Sequence, residues 1–279
     1  MINNQKVGRL KSEMIGKLSQ YLTVILLSVL LCGSGFVMAG ASSVAKVCLD
    51  ESEWYPFTLV KNGVASGIHI DIIQRAFDHV GVPVRYIPMP WRRCLKEAMN
   101  GRIDAVATAS YNDERAAYMR YPTDAEIEQN SRYRVMQVEY VIMTLKNDPF
   151  QFDDNIKMLP KPVRAPRGYS VVAELNKLGL VVDDNSASDE INIKKLLREQ
   201  RGSVVLIPEM AKRLSQQANY KGKLKISEKP WKSKSYFLPF SKKTKVPDTT
   251  ILAIWSPIEV ARKGAHFMAT QAARYSVNP

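Results

Sequence analysis

The stretch 45–118 alternates three times between a short apolar run and a helical pattern, and this feature constrains the fold most. The runs AKVCLD, VPVRYIPM and IDAVATAS begin at Ala45, Val82 and Ile103, and they have the length and apolar content of buried strands. A segment with apolar residues at helical spacing follows the first two, and a short helix start follows the third. Such alternation predicts an α/β fold with a parallel sheet covered on both faces.

The same alternation restarts in the second half of the chain. The β-rich run RYRVMQVEYVIMTLKN ends near Asn147, and strand and helix patterns alternate again from Pro162 to Gln217, with Ser170 as the predicted N-cap of the first helix there. The segment KSYFLPFSKK reads as extended and 249–275 as helical. The chain has 279 residues, 46% of them hydrophobic, which is enough for a core in each of two α/β units.

Residues 1–41 have the three parts of a secretory signal peptide. A basic region up to Lys17 precedes the apolar run YLTVILLSVLL, and small residues follow it. Two small-x-Ala sites, ending at Ala39 and Ala41, fit cleavage. Because the apolar run is short for a membrane span of about 20 residues, we expect a cleaved signal and a periplasmic protein rather than a retained anchor.

Cleavage would leave two cysteines, Cys48 and Cys94. In an exported protein a remaining pair of thiols favours a disulfide, and two buried free cysteines are the alternative.

The chain is basic, with a net charge of +13. A basic surface can bind nucleic acid or an anionic membrane. The Lys and Arg residues are spread along the sequence rather than clustered, which favours a solvated basic face. We expect no nucleic-acid partner and a monomer.

Signals of catalysis or of a cofactor are thin. The three histidines have no metal-ligand spacing, and no cysteine cluster matches a zinc site. The sequence has no Gly-rich phosphate loop, no G-x-S-x-G turn and no H-E-x-x-H motif. Acidic residues are plentiful, and no spacing singles out a carboxylate pair for acid–base catalysis. We therefore expect no metal site, no cofactor and no enzymatic activity.

Arg115 stands in the first turn of a helix that the sequence starts at Asn112. A cation is unfavourable there because the helix dipole is positive at that end. Thr108 and Ser110 lie at the preceding predicted strand end. We therefore expect two hydroxyls, free helix amides and a guanidinium to converge on one point. This set suits a bound carboxylate. By position alone, an ion pair of Arg115 with a neighbouring acidic residue is an equal alternative.

Aromatic residues follow two of the predicted strands. Trp54 and Tyr55 lie in the loop after the first strand, and Trp91 follows the second. They could stack on a ligand or pack between loops.

Taken together, these motifs resemble the family 3 extracellular solute-binding proteins, the periplasmic receptors of polar amino-acid uptake. The matching stretches are EWYPFTL…SGIHIDIIQRA and NGRIDAVATASYNDERAAY. A variant branch of the family, with C-x-D-E and P-W-x-R-C-L motifs, looks closer still. The resemblance is strong through Pro122 and looser afterwards.

The resemblance implies a two-lobed type II periplasmic-binding fold, each lobe a mainly parallel sheet flanked by helices. Lobe 1 would comprise 44–140 plus 240–279 and lobe 2 would comprise 141–239, joined by two hinge crossings. Arg115 resembles the family's carboxylate-binding arginine, with Thr108 and Ser110 as strand-end contacts. Trp54 takes the place of the aromatic residue that covers the ligand. Gly168, Tyr169 and Ser170 resemble the family's second-lobe turn, which closes over the ligand carboxylate.

One departure concerns the other end of the ligand. Amino-acid binders usually place an acidic residue in lobe 2 to hold the ammonium group, and here Ile207 falls in its place. Glu209 comes two positions later and is the remaining candidate.

The resemblance therefore implies a receptor that captures a small carboxylate, most often a polar amino acid, for ABC-type uptake through a membrane permease. Two alternatives use the same fold. One is a sensor input that hands its closed state to a membrane receptor. The other is a periplasmic dehydratase-like enzyme, for which Glu53 or Glu209 would be the acid.

Overall fold

The computed structural model describes residues 44–126 and 131–276, and the predicted signal peptide lies outside these ranges. The strands of the described ranges are β1 (Ala45–Asp50), β2 (Leu59–Lys61), β3 (Val64–Ser66), β4 (Val84–Met89), β5 (Ala105–Val106), β6 (Ala109–Ser110), β7 (Met119–Arg120), β8 (Met136–Leu145), β9 (Val163–Arg164), β10 (Val182–Asp183), β11 (Ser203–Leu206), β12 (Leu224–Ile226), β13 (Lys232–Phe237) and β14 (Phe240–Ser241). The α-helices are α1 (Ile68–His79), α2 (Trp91–Met99), α3 (Asp113–Tyr118), α4 (Ser170–Lys177), α5 (Asp189–Glu199), α6 (Pro208–Gln216), α7 (Asp248–Lys263) and α8 (Ala265–Tyr275).

The first sheet has the strand order β4-β1-β5-β14-β7. β4, β1 and β5 are parallel, whereas β14 runs antiparallel to both of its neighbours. Every residue of β1 except Lys46 is buried, as a strand covered on both faces requires. The carboxyl ends of the parallel strands place Asp50 and the residues after Val106 along one edge.

The second sheet has the order β10-β9-β11-β8-β13-β6, with β12 also paired to β8. β10, β9 and β11 are parallel, and β8 is antiparallel to β11, β12 and β13. Each sheet is thus mixed, with a parallel core of three strands extended by antiparallel ones. The extension arises because the chain passes between the two α/β units in both directions through long strands.

The helices pack on the sheets through the apolar stripes that the sequence shows. In α1, Ile72, Ile73, Ala76 and Phe77 are fully buried, and α1 packs against α7. Gly81, with φ of 66°, lies in the turn after this helix, which is the position where glycine tolerates left-handed backbone.

Cys48 and Cys94 form a disulfide between β1 and α2, with their Cα atoms 5.7 Å apart. The predicted pairing is confirmed. Both residues are buried in a small apolar cluster beneath α2, so the bond fixes this helix to the strand that ends at Asp50.

Within the second sheet, β13 pairs with both β8 and β6, and β6 follows directly after β5 of the first sheet. Tyr236 of β13 lies opposite Ser110 of β6, and Lys232 lies opposite Tyr140 of β8. The chain therefore passes between the units in β8 and in the segment from β13 to β14, close to the predicted hinge crossings. The lobe boundaries at 140 and 240 stay a prediction.

Candidate functional site

Arg115 lies in the first turn of α3, which begins where the sequence predicts. Asn112 caps the helix, its side-chain oxygen accepting a hydrogen bond from the backbone N–H of Arg115 at 2.8 Å. Only 4% of Arg115 is exposed. Its guanidinium therefore points into the protein rather than into solvent, although a cation in a first turn is unfavourable.

The contacts of Arg115 join the two lobes. Nη1 donates to the carbonyl and hydroxyl oxygens of Ser110, at 3.0 and 3.2 Å, and Nη2 donates to the carbonyl oxygen of Gly168 at 3.1 Å. The guanidinium also lies 5.4 Å from the centre of the Trp91 ring. No carboxylate of residues 44–126 or 131–276 forms an ion pair with Arg115, so the alternative of a structural ion pair is not what these residues show.

A small cavity of about 30 Å³ adjoins Arg115. Six of the predicted site residues line it: Trp54, Trp91, Thr108, Arg115, Tyr169 and Ser170. Its volume is enough for about two water molecules. This is therefore the closed form of the cleft, and a ligand of amino-acid size needs the walls to move apart.

Ser110 and Gly168 stand directly behind this lining. The hydroxyl oxygens of Ser110 and Ser170 are 2.8 Å apart and form a hydrogen bond between the lobes. The carbonyl oxygen of Gly168 accepts from the indole Nε1 of Trp91 at 3.0 Å as well as from Arg115. The predicted residues of the two lobes thus converge on one point.

Ser170 is the first residue of α4, and the predicted N-cap at this position is wrong. Tyr169 occupies the cap position and makes no side-chain cap hydrogen bond. The hydroxyl of Ser170 is instead engaged by Ser110 and by the ammonium group of Lys234, at 2.9 Å. The Ser170 hydroxyl therefore forms hydrogen bonds with distant segments and does not cap the helix.

Tyr55 and Glu209 lie outside the cavity. Both line a separate surface pocket, where Glu209 is exposed and the Tyr55 ring stacks under the guanidinium of Arg213 at 4.4 Å. Arg213 also forms an ion pair with Glu53 across the lobes. In this closed form the acidic residue expected near the ligand is therefore neither Glu209 nor Glu53.

Asp50 is the carboxylate that does line the cavity, and sequence reasoning missed it. It is 7% exposed, and its Oδ2 accepts a hydrogen bond from the Tyr169 hydroxyl at 3.2 Å. Burial raises the pKa of Asp50 to about 6. A signal was present, because Asp50 ends β1 and ligands bind beyond the carboxyl ends of parallel strands.

A second buried carboxylate, Asp189 at the start of α5, stands close enough for the charge of Asp50 to affect it. Burial, assisted by Asp50, raises the pKa of Asp189 to about 7. Its Oδ1 has no hydrogen-bond partner among the described residues, and neither have the side-chain polar atoms of Ser186 and Asn192. An acidic group of this kind stays partly protonated near neutral pH.

His69 supports the cavity from behind. Its Nδ1 lies 2.8 Å from the Thr108 hydroxyl oxygen, and its ring stacks on Phe57 at 4.5 Å. Burial lowers the pKa of His69 to about 3, so the imidazole is neutral at physiological pH. It orients Thr108 without adding a charge to the site.

Lys234 is a second buried cation beside Arg115. Besides Ser170, its ammonium group contacts the carboxylate of Glu174. Burial lowers the pKa of Lys234, against the opposing effect of Glu174. Burial also raises the pKa of Glu174, but Lys234 and Lys232 outweigh it and hold that pKa below its usual value. The carboxylate of Glu174 thus offsets the lysine charge, whereas Arg115 has no carboxylate partner among residues 44–126 and 131–276.

Aromatic side chains form the remaining walls. Trp54 packs against Tyr236 and Phe57, with ring centres 4.8 and 5.3 Å apart. Tyr236 lines the cavity and hydrogen-bonds Tyr140 through their hydroxyl groups. Such walls suit a small ligand with an apolar body and charged ends.

Residues 46–147 match the family model described as bacterial extracellular solute-binding proteins, family 3. The resemblance to family 3 is confirmed. No curated protein sequence matches the chain. The matched range runs from β1 to β8 and includes the Arg115 helix, so it contains the stretches that carry the family motifs. The features of the variant branch stay a prediction.

Solved structures share the fold at low sequence identity. A histidine kinase sensor domain with similarity to periplasmic binding proteins has a TM-score of 0.67 at 15% identity, covering 84% of this chain and 96% of that one. The arginine-, lysine-, histidine-binding protein ArtJ from Geobacillus stearothermophilus has a TM-score of 0.64 at 15% identity, covering 84% and 97%. The GluR0 ligand-binding core from Nostoc punctiforme, in complex with L-glutamate, also reaches 0.64 at 15% identity, covering 84% and 100%.

These likenesses show a two-lobed type II periplasmic-binding fold for this chain. The disulfide fits the extracellular or periplasmic setting of the family. Within the described part of the chain, no helix is long and apolar enough to cross a membrane. The residues described also contain no cluster of three or more His, Cys, Asp or Glu side chains suited to a metal ion.

Proposed function

We propose that this protein is a periplasmic receptor that closes around a small carboxylate-bearing ligand, with a polar amino acid as the expected class, and delivers it to an ABC-type permease. Arg115 carries the proposal. It is a buried guanidinium at a cavity between two lobes, without a carboxylate partner among the described residues. A ligand carboxylate would supply the bidentate partner that a guanidinium fork favours.

The closed contacts support a role for both lobes in binding. Ser110 and Ser170 form a hydrogen bond from one lobe to the other beside Arg115, and Gly168 accepts from Arg115 across the same gap. A carboxylate at this point would receive donors from both lobes only in the closed form. Binding would therefore shift the population toward closure, because the closed form gains contacts that the open form lacks.

Asp50 supports the amino-acid class. It lines the same cavity as Arg115, so one ligand could present a carboxylate to the arginine and an ammonium group to the aspartate. Asp50 would then serve in place of the acidic residue that Ile207 replaces. Ligand charge at both ends would distinguish amino acids from simple carboxylic acids.

A dehydratase-like enzyme is the alternative that Asp50 also favours, because a carboxyl group with a pKa of about 6 can donate a proton near neutral pH. We expect binding without turnover. Incubation of the protein with each bound ligand, followed by mass spectrometry of the small molecule, should return it unchanged. Any accumulating product would favour the enzyme.

The direct test compares Arg115→Lys with the wild type. Lysine keeps the charge and loses the fork, so we expect at least about tenfold weaker binding of the carboxylate ligand. Native mass spectrometry of the purified protein identifies any co-purified ligand, and calorimetry then measures its affinity. Arg120→Lys is the matched control, since Arg120 pairs with Asp248 at the surface. Equal affinities for Arg115→Lys and the wild type would overturn the proposal.

A further inference from the structure

A large groove lies outside the cavity and opens to solvent between α2 and the start of α4. Its volume is about 950 Å³, some thirty times that of the inner cavity. Arg115, Tyr169 and Ser170 border both spaces, so the groove ends where the cavity begins.

The groove carries an excess of positive charge. Six basic and three acidic side chains line it. One of the acidic residues, Glu97, is already paired with Arg102 at 3.0 Å. Arg92, Arg93 and Lys96 are exposed on α2, and no carboxylate of the described residues forms an ion pair with them.

Apolar side chains accompany these charges. Leu95 and Val172 line the groove from α2 and α4, and Met99 at the end of α2 is 43% exposed. A partly apolar floor with charged residues around it is the composition of a protein-binding surface rather than of an ion site.

The groove exists only while the lobes are closed, because its walls belong to different lobes. The turn at Gly168 packs directly on the first turn of α2. A Cβ atom added at Gly168 would lie 3.0 Å from Cγ of Arg92 and 3.3 Å from Cδ1 of Trp91. The φ of Gly168 is +77°, a conformation that other residues adopt at a cost. This close approach sets the two walls side by side.

We propose that this groove docks an acidic peptide segment of a partner protein and thereby recognises the closed form. Each exposed cation contributes little to binding a single anion, since solvent screens it. Several carboxylates on one chain engage several of these cations together, which multiplies the gain. An extended acidic segment fits this pattern, whereas a single small anion does not.

The test measures binding of a fluorescein-labelled peptide of ten glutamates to the protein by fluorescence anisotropy at low salt. The double variant Arg93→Glu with Lys96→Glu should weaken binding about tenfold, and added salt should weaken binding of the wild type. The matched control is Lys61→Glu with Arg85→Glu, which makes the same charge change at exposed positions of β2 and β4. The control should lose less than threefold.

Gly168→Ala tests the dependence on closure without changing charge. Its added methyl group separates the walls, so peptide binding should weaken about as much as in the charge variant. Circular dichroism and thermal unfolding check that each variant is folded.

Three results would overturn the proposal. Equal losses in the groove variant and its control would show a general basic surface. Unchanged peptide binding in Gly168→Ala would show that closure is not recognised. Binding of citrate as tightly as the peptide, with the same dependence on Arg93 and Lys96, would make the groove a small-molecule site.

Discussion

At the scale of single residues, the site is organised around charges whose partners come from distant segments. The sequence predicts Arg115 well, because its sign conflicts with its place in a helix and hydroxyl groups precede it. It predicts Lys234 and His69 poorly, because their burial depends on strands and loops more than 30 residues away. Asp50 lies between these cases, because the sequence indicates its position at a strand end but not its burial.

Asp50→Asn tests the proposed contact with the ligand ammonium group separately from the contact of Arg115 with the ligand carboxylate. We expect affinity for an amino acid to fall by about ten- to a hundredfold, since a hydrogen bond to a charged group contributes roughly 1.5–3 kcal/mol. Affinity for the corresponding acid without the amino group should change little. Calorimetry with both ligands measures the difference, and Glu51→Gln, at an exposed neighbour, is the control.

The same contact predicts a pH dependence. Only ionised Asp50 attracts an ammonium group, and its pKa is raised to about 6. Affinity for the amino acid should therefore fall as the pH drops through about 6, and this fall should be absent in Asp50→Asn. A flat profile in the wild type would contradict the assigned contact.

Asp189 affects stability rather than binding. Its folded pKa of about 7 exceeds the ordinary value of an unfolded aspartate, so the folded state holds a proton that the unfolded state has lost. The wild type should lose stability as the pH rises from about 4 to about 7. Asp189→Asn should remove this loss and gain on the order of 3 kcal/mol over the wild type between pH 5 and pH 8.

Urea unfolding at several pH values measures this effect. Asp78→Asn, at an exposed position of α1, is the control and should show no such gain. Parallel pH profiles for Asp189→Asn and the wild type would show that the carboxyl group ionises in the folded protein as it does in the unfolded chain.

At the scale of elements, the alternation of strands and helices was predictable in both halves because buried strands and amphipathic helices leave local patterns. The pairing of β13 with β6 was not predictable in this way. It joins residues more than 120 positions apart. The sequence of a short extended run does not indicate which strand it pairs with. The mixed direction of both sheets follows from such pairings.

The disulfide fixes α2 to β1 and thereby holds Trp91 at the cavity. Its two cysteines are 46 positions apart, and closing a loop of this size in the unfolded chain corresponds to about 4 kcal/mol of stability. Reduction with dithiothreitol should lower the free energy of unfolding by about this amount, as measured by urea unfolding. In Cys48→Ala with Cys94→Ala, the reducing agent should have no further effect. Equal stability of the oxidised and reduced wild type would contradict the prediction.

At the scale of the whole molecule, closure depends on contacts on both sides of the cleft. Arg115 and Trp91 meet Gly168 on one side, and Glu53 meets Arg213 on the other. Family motifs indicated the first set. The second arises from an exposed position, Glu53, and a half-buried one, Arg213, which only the folded chain brings together.

Arg213→Ala should loosen closure without touching the cavity. An exposed ion pair contributes roughly 0.2–1 kcal/mol, so we expect ligand affinity to fall by about 1.5- to fivefold with little change in thermal stability. Calorimetry and thermal unfolding measure the two quantities, and Lys212→Ala on the same helix is the control. A loss far beyond this range would mean that Arg213 contacts the ligand.

The carbonyl of Gly168 has a consequence for how such a receptor responds to dose. In the closed form it already accepts from Arg115, at the point proposed for the ligand carboxylate. The carbonyl oxygen of Gly168 and a ligand carboxylate would therefore compete for the same guanidinium. Because the carbonyl belongs to the same chain, it is always present. In the proposed receptor, a ligand carboxylate would have to replace this contact at Arg115, which lowers its net gain in free energy on binding. In the proposed receptor, this one backbone acceptor would thus raise the ligand concentration needed for a response.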